Sequence, residues 1–213
     1  MTARIVVDDE QGRAEAVAVL RSGGIVALPT DTVHGIAVQL STVGGIEALF
    51  AAKRRPPDKG IMLLLADAEQ APAIGQWPPA AAALAAAFWP GGLTVIVPQR
   101  PDVPLPAALT GGTATIGLRM PDHPTPRALA AAVGPLPTTS ANVSGNPEAR
   151  DAAGIVEQLG DAIDLVLDGG PAHGGPPSTV VDCTVEPPRI LRVGAIPIAA
   201  IETVLGRALD PPA

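Results

Sequence analysis

Residues 113–142, TATIGLRMPDHPTPRALAAAVGPLPTTSAN, decide the fold. TATIGLRMP is a short β-branched and apolar run and reads as a strand. PTPRALAAAVG has Pro near its start, a run of helix formers and a closing Gly134, so it reads as a helix. LPTTS begins apolar at Leu136 and predicts a second strand, which then runs into small polar residues. The same alternation continues outward. QGRAEAVAVLRSGG predicts a helix stopped by Gly23 and Gly24, and IVALP a buried strand ended by Pro29. STVGGIEALFAAKRR predicts a helix started by a Ser/Thr cap, GIMLLLAD a continuous strand, and PAAAALAAAFWPGG an Ala-rich helix broken at Pro90. LTVIVP, DLVLDGG, STVVDCT and RILRVG read as strands; DAAGIVEQLGDAI and PIAAIETVLGRAL read as helices. Strands interleaved with helices indicate an α/β sheet. Several strands are joined by too little chain for a helical crossover, so the sheet is expected to mix parallel and antiparallel pairs.

Composition bounds the rest. The 213 residues suit one domain spanning 1–213 with a sizeable core. Apolar residues make up 47% but aromatics only 2%, with no Tyr, so the core must be built from Ala, Val, Leu and Ile. Cys183 is the single cysteine, which excludes an internal disulfide and a cysteine-rich zinc site. The start, MTARIVVDDEQGR, carries charges where a signal peptide would be apolar, and no apolar run reaches the ~18 residues a membrane span needs. The expected location is the cytoplasm. A net charge of −7 argues against a generic nucleic-acid binder. Positive charge nonetheless clusters at Lys53, Arg54, Arg55 and Lys59.

Polar clusters interrupt the apolar frame at strand ends. Thr30, Asp31, Thr32 and His34 follow a strand and read either as a cap or Asx turn, or as a ligand-facing strand end. In KRRPPDKG, Lys53, Arg55 and Lys59 either form a solvated helix end or converge on an anion, a phosphate chain being the obvious one. No GxxxxGK[ST] or GxGxxG is present. Trp89-Pro90-Gly91-Gly92 reads as a tight turn anchored by its indole. Thr115 and Arg119 are four apart, so on a strand they share a face. An inward Arg119 would need an anionic partner, because a lone buried guanidinium is costly. His123 sits in a Pro-flanked turn and reads as structural. A plain turn explains Ser144 to Pro147 but not the hydroxyls and amide of Thr138, Thr139, Ser140 and Asn142 before it. Ser178 starts a strand after the Gly/Pro-rich segment 168–177, which reads as a loop able to fold over a ligand, and Arg192 lies near another strand end.

The ordered set LPTDTVHGIA, KRRPPDKG, FWPGGLTVIVP, TIGLRMPDHP, LPTTSANVSGNP, STVVD and ILRVG resembles the YrdC-like family, and within it the threonylcarbamoyl-AMP synthases. The resemblance runs from about residue 10 to about 205. It implies a twisted mixed parallel/antiparallel sheet with flanking helices and a concave basic groove. It also implies a reaction: L-threonine, bicarbonate or CO2, and ATP with Mg2+ give threonylcarbamoyl-AMP and pyrophosphate, for N6-threonylcarbamoyladenosine in tRNA. Implied partners are tRNA and the proteins that complete the transfer. Carried over by position, Thr32, Arg119, Thr138 and Ser178 match threonine contacts, with Arg119 on the carboxylate. Lys53 and Arg55 match the basic, catalytic pair at the ATP phosphates, and Lys59, Thr115, Ser140, Asn142 and Arg192 match further ATP contacts. No residue is assigned as a metal ligand. The family usually has Tyr where His34 stands, so His34 is expected to shape the pocket. Leu64 stands where some long members carry a threonine-facing His. The extra C-terminal domain of the long members is expected to be absent, which bears on how segment 168–177 closes the site. The competing expectation is an RNA-binding relative that uses the same groove without making the adenylate.

Overall fold

The structure is a computed structural model, and it describes residues 3–54, 56, 60–172 and 175–210. Ten strands are β1 (Arg4–Val7), β2 (Val26–Leu28), β3 (Gly35–Ala37), β4 (Met62–Leu64), β5 (Leu93–Pro98), β6 (Thr115–Arg119), β7 (Leu136–Ser140), β8 (Leu165–Asp168), β9 (Thr179–Asp182) and β10 (Arg189–Arg192). They form one sheet in the order β1-β8-β2-β3-β7-β4-β6-β5-β9-β10. Pairs β1–β8, β2–β8, β4–β6 and β5–β9 are parallel. Pairs β2–β3, β3–β7, β4–β7, β5–β6 and β9–β10 are antiparallel. The mixed sheet is therefore as the connection lengths require.

The longer helices are α1 (Glu10–Arg21), α2 (Gly45–Lys53), α4 (Pro79–Phe88), α6 (Pro124–Val133), α7 (Ala152–Leu159) and α8 (Ile198–Leu205); α3 (Ala71–Ile74) and α5 (Ala107–Thr110) are single turns. Local chemistry sets their starts. Asp9 caps α1 by accepting from the Gly12 amide at 2.8 Å, and Asp151 caps α7 by accepting from Gly154 at 2.8 Å. His123 Nδ1 accepts from the Thr125 amide at 3.2 Å and caps α6, so the structural reading of that histidine holds. The Ser/Thr cap expected for α2 does not form. Its N-cap is Gly44 at φ 75°, and Thr42 instead closes the preceding turn, its carbonyl accepting from the Gly45 amide at 3.1 Å.

The sheet has two unlike faces. On one, Ala27, Ile36, Leu63, Ile116, Leu118 and Val95 join Ile46, Leu84, Ile155 and Ile201 from α2, α4, α7 and α8 in a continuous apolar core. On the other, Val26, Leu28, Ala37, Leu64 and Leu136 pack against Ala16 and Leu20 of α1 and Leu129 and Ala130 of α6. That helix pair covers only part of its face. Beyond it, on the same face, β4 to β7 present Met62, Thr94, Thr115, Gly117, Arg119, Thr138 and Ser140 to an open cleft.

Candidate active site

The cleft has a volume of about 360 Å³. Its floor follows the strand register. Met62 lies opposite Gly117 on one side and Thr138 on the other, Gly117 lies opposite Ile96, and Ser140 lies opposite Gly35. Along β6 the period of two sends Ile116 and Leu118 into the core and Thr115, Gly117 and Arg119 to the cleft. The shared face read for Thr115 and Arg119 is present. A Cβ added at Gly117 would meet Met62 and Thr94 only at 3.5 Å, ordinary contact, so the floor there is open rather than crowded.

Arg119 closes one end. Its side chain is 3% exposed. Nε donates to the Gly91 carbonyl at 2.9 Å, Nη1 to Thr32 Oγ1 at 2.9 Å, and Nη2 to Asp31 Oδ1 at 2.6 Å. The anion an inward arginine requires is thus supplied by the chain itself, in Asp31. Burial pushes the Arg119 pKa down from the ordinary arginine value, and the Asp31 charge opposes that shift. A guanidinium has five N–H groups. Three are used here, and among the described residues two remain to be offered to a ligand. The Trp89–Gly92 turn has a definite purpose in this arrangement. Its indole donates to the Leu93 carbonyl at 2.8 Å, and the turn so fixed aims the Gly91 carbonyl at Arg119.

The 30–34 run is an ST-turn, not a helix cap. Thr30 Oγ1 accepts from the Thr32 amide at 3.1 Å and donates to the Val33 carbonyl at 2.7 Å, and β3 follows. The turn presents the buried Thr32 hydroxyl to both Arg119 and the cleft. His34 also lines the cleft and is 3% exposed, and among the described residues its Nδ1 has no hydrogen-bond partner. Burial lowers its pKa below the ordinary histidine value; the carbonyls of Ala149 and Gly170, then Asp168 and Asp151, act in the opposite direction.

Ser178 adds a buried hydroxyl to the lining. Its hydroxyl lies 2.8 Å from Thr94 Oγ1 and accepts from Arg192 Nη2 at 3.0 Å, while Arg192 Nε donates to the Ser178 carbonyl at 3.0 Å. Thr115 Oγ1 lies 2.8 Å from Thr113 Oγ1, and Thr138 Oγ1 donates to the Leu136 carbonyl at 2.9 Å. Among the described lining residues the cations are Arg119 and Arg192, and the carboxylate is Glu148.

Seven residues singled out from the sequence converge here: Thr32, Thr115, Arg119, Thr138, Ser140, Ser178 and Arg192. Two others do not line the cleft. Lys53 is 1% exposed, and its ammonium donates to the carbonyls of Ser140 and Asn142, both at 2.5 Å, and to Asn142 Oδ1 at 3.0 Å. Asn142 is turned inward as well, accepting from Ser140 Oγ at 2.6 Å and donating to the Asn146 carbonyl at 2.7 Å. Both hold the loop after β7 in this arrangement, and their contact with ATP stays an expectation from the resemblance. Arg55 and Lys59 lie outside the described residues. Sequence reasoning missed Thr94, Gly117 and the Gly91 carbonyl. Period-two alternation in LTVIVP, with Thr94 and Ile96 on one face, was the available signal for Thr94.

The family model for Sua5/YciO/YrdC, described as "Telomere recombination", matches residues 18–194. The chain belongs to the Sua5/YciO/YrdC family. A Mycobacterium leprae relative is 40% identical over 206 residues, covering 92% of this chain and 89% of its own. A Pyrococcus abyssi relative named threonylcarbamoyl-AMP synthase is 36% identical over 200 residues, covering 93% of this chain and 58% of its own. The solved structure of P. abyssi Sua5 complexed with L-threonine superposes with a TM-score of 0.89 at 33% identity, covering 97% of this chain and 61% of that one. This chain therefore spans somewhat under two thirds of the archaeal Sua5 protein, and the fold described above is that of the Sua5/YciO/YrdC domain.

Proposed function

We propose that this chain is an L-threonylcarbamoyladenylate synthase, converting L-threonine, bicarbonate or CO2, and ATP into threonylcarbamoyl-AMP and pyrophosphate for N6-threonylcarbamoyladenosine in tRNA. The observation that carries the reading is Arg119, a guanidinium fixed on three sides at the end of a hydroxyl-lined cleft with two N–H groups unspent. A fork of that kind suits a carboxylate. The activity named for the P. abyssi relative and the threonine bound in the solved Sua5 structure support it.

In this reading the α-carboxylate of threonine sits on Arg119, beside the Thr32 hydroxyl. Thr138 and Ser178 hold the amino acid with their side chains in the cleft. The amine attacks CO2 and loses a proton, giving a carbamate; from bicarbonate that proton instead leaves with the displaced hydroxide as water. A carbamate oxygen then attacks the α-phosphorus of ATP, and the bond to the β-phosphate oxygen breaks as pyrophosphate leaves. Arg192, Thr115 and Ser140 face the nucleotide, with Lys53 setting Ser140 through the loop it holds. Arg55 and Lys59 remain assigned to the phosphates by resemblance. The acceleration comes from positioning and from charge neutralisation at the phosphates, for which no catalytic triad is needed. ATP enters as its Mg2+ complex. In this reading the ion arrives on the phosphates of ATP. The tRNA and the proteins that transfer the threonylcarbamoyl group act downstream of this step.

The test is pyrophosphate release by the purified protein with ATP and bicarbonate, with and without L-threonine, coupled to mass analysis of the nucleotide product. Threonine-dependent release together with the carbamoylated adenylate establishes the synthase. No release by a protein that still binds tRNA would replace this reading with that of the RNA-binding relative.

A further inference from the structure

We infer that Asp31 is a resident counter-ion which competes with the substrate carboxylate for Arg119 and so sets the affinity for the amino acid. The inference rests on the proposed threonine site. Asp31 Oδ1 lies 2.6 Å from Arg119 Nη2, with the two side chains 15% and 3% exposed. Asp31 is not among the residues lining the cleft; it pairs with the arginine from the turn that also supplies Thr32. It is a positioning residue, acting through the guanidinium and not on the substrate.

Two consequences follow from that placement, and they have opposite signs. Without a ligand, a guanidinium this enclosed would be an uncompensated buried charge if Asp31 were neutral, so Asp31 stabilises the empty site. When a carboxylate arrives, it meets an ion pair that is already neutral overall. It gains less than it would from a bare cation, and it must sit on the same guanidinium as a second anion at short range. Asp31 therefore weakens substrate binding while it stabilises the protein.

Orientation does not depend on the Asp31 charge. The Gly91 carbonyl and Thr32 Oγ1 hold Nε and Nη1 at 2.9 Å each, and an asparagine at position 31 can still accept from Nη2. Charge and geometry can thus be separated by one isosteric change. Ligand selectivity is also predicted: an amino acid with a free carboxylate feels the competition, whereas its carboxamide does not.

The experiment is calorimetric titration of the full chain and of Asp31→Asn with L-threonine and with L-threoninamide, alongside thermal melting and ATP titration. The variant is expected to melt lower, to bind L-threonine about tenfold more tightly, to bind L-threoninamide as the parent does, and to keep the parent's ATP affinity. Asp31→Glu, which keeps the charge, is expected to show no such tightening. If the parent binds L-threonine and Asp31→Asn binds it no more tightly, the counter-ion proposal falls while the threonine site stands. If the parent binds no L-threonine, the threonine site falls and takes the proposal with it. If Asp31→Asn folds poorly alone, saturating L-threonine must raise its Tm by more than it raises the parent's, and L-threoninamide must not; equal shifts refute the proposal.

Discussion

Replacing Lys53 with Met tests what its buried ammonium does for the loop after β7. The substitution keeps an unbranched stem of similar length and removes the ammonium. That ammonium donates to the carbonyls of Ser140 and Asn142 at 2.5 Å, to Asn142 Oδ1 at 3.0 Å and to Ser140 Oγ at 3.4 Å. Hydrogen bonds from a charged donor contribute about 1.5–3 kcal/mol each. Against their loss stands the relief of no longer burying an ammonium that is 1% exposed, a term of several kcal/mol. The carbonyls cannot recruit water without the loop after β7 opening. The net is expected near the range for breaking a buried charged contact, about 3 kcal/mol. For a chain of this size about 1 kcal/mol moves Tm by about 2–4 °C, so the expected fall is about 6–12 °C. Thermal denaturation with and without ATP reads it, with ATP titration at a temperature where the variant is folded. The expected result is a lower Tm together with weaker ATP binding, because Ser140 loses its setting. A Tm within about 2 °C of the parent with ATP binding abolished would refute this reasoning and return Lys53 to the phosphates.

Further predictions bear on the cleft and the core. Arg119→Ala is expected to lower threonine-dependent pyrophosphate release at least about 100-fold at subsaturating threonine, about 2.7 kcal/mol, since it removes the carboxylate fork and leaves Asp31 unpaired; near-parental kcat/KM for threonine in the folded variant would exclude the assignment. Gly117→Val places two methyl groups over the floor between Met62 and Thr94, where a Cβ alone makes only 3.5 Å contacts. Ligand binding should weaken at least tenfold while Tm stays within about 3 °C, and a variant that binds as the parent does would show that the floor is not the binding surface. Cys183 is buried, and burial, then Asp182 and Glu186, pushes its thiol up to about 12 from 9.0. The thiolate fraction at pH 8 is then about 1000-fold below that of a free cysteine, so alkylation should be slow in the native protein and fast after denaturation. Because the folded value is the higher one, this group's contribution to stability is intact below pH 9.0 and is lost as pH rises from there through about 12.

Alternation made most of the frame legible. LTVIVP matches β5 residue for residue, and PTPRALAAAV matches α6, because a strong period with Pro and Gly boundaries leaves little choice. β3 was not legible: three residues, Gly35–Ala37, offer no period and are defined by pairing to β2 and β7. β1 was read only for its charges; its exposed Ile5 and Val7 alternate too weakly to announce a parallel edge strand beside β8. In the site, strand residues fared best, since a face follows from parity, as with Thr115 and Arg119. Loop and helix-end residues fared worst. A lysine after an apolar helix looks solvated or ligand-bound, and nothing local in AAKRR reveals that carbonyls from residues 140 and 142 enclose it.

The position of the cleft follows from which strands the α1–α6 pair covers. Leu136 and Leu64 lie under α6, and two residues further along β7 the same face carries Thr138 and then Ser140. The polarity of a strand therefore changes along its length where the helix cover ends, not across its width. This is why LPTTS begins as an apolar strand and ends as a row of hydroxyls. An exposed strand end alone would need only solubility, which scattered charges provide. Here the charges are withheld: the floor is Thr, Ser, Gly and Met, and Arg119 is neutralised by Asp31 before anything binds. Hydroxyls can donate or accept, so such a floor can hold both an amino acid and a nucleotide without committing charge to either. The charged grip is left to Arg119 and Arg192, each held by a backbone carbonyl, that of Gly91 and that of Ser178. A substrate on that floor is oriented by these two held cations and by the register of the strands that carry them.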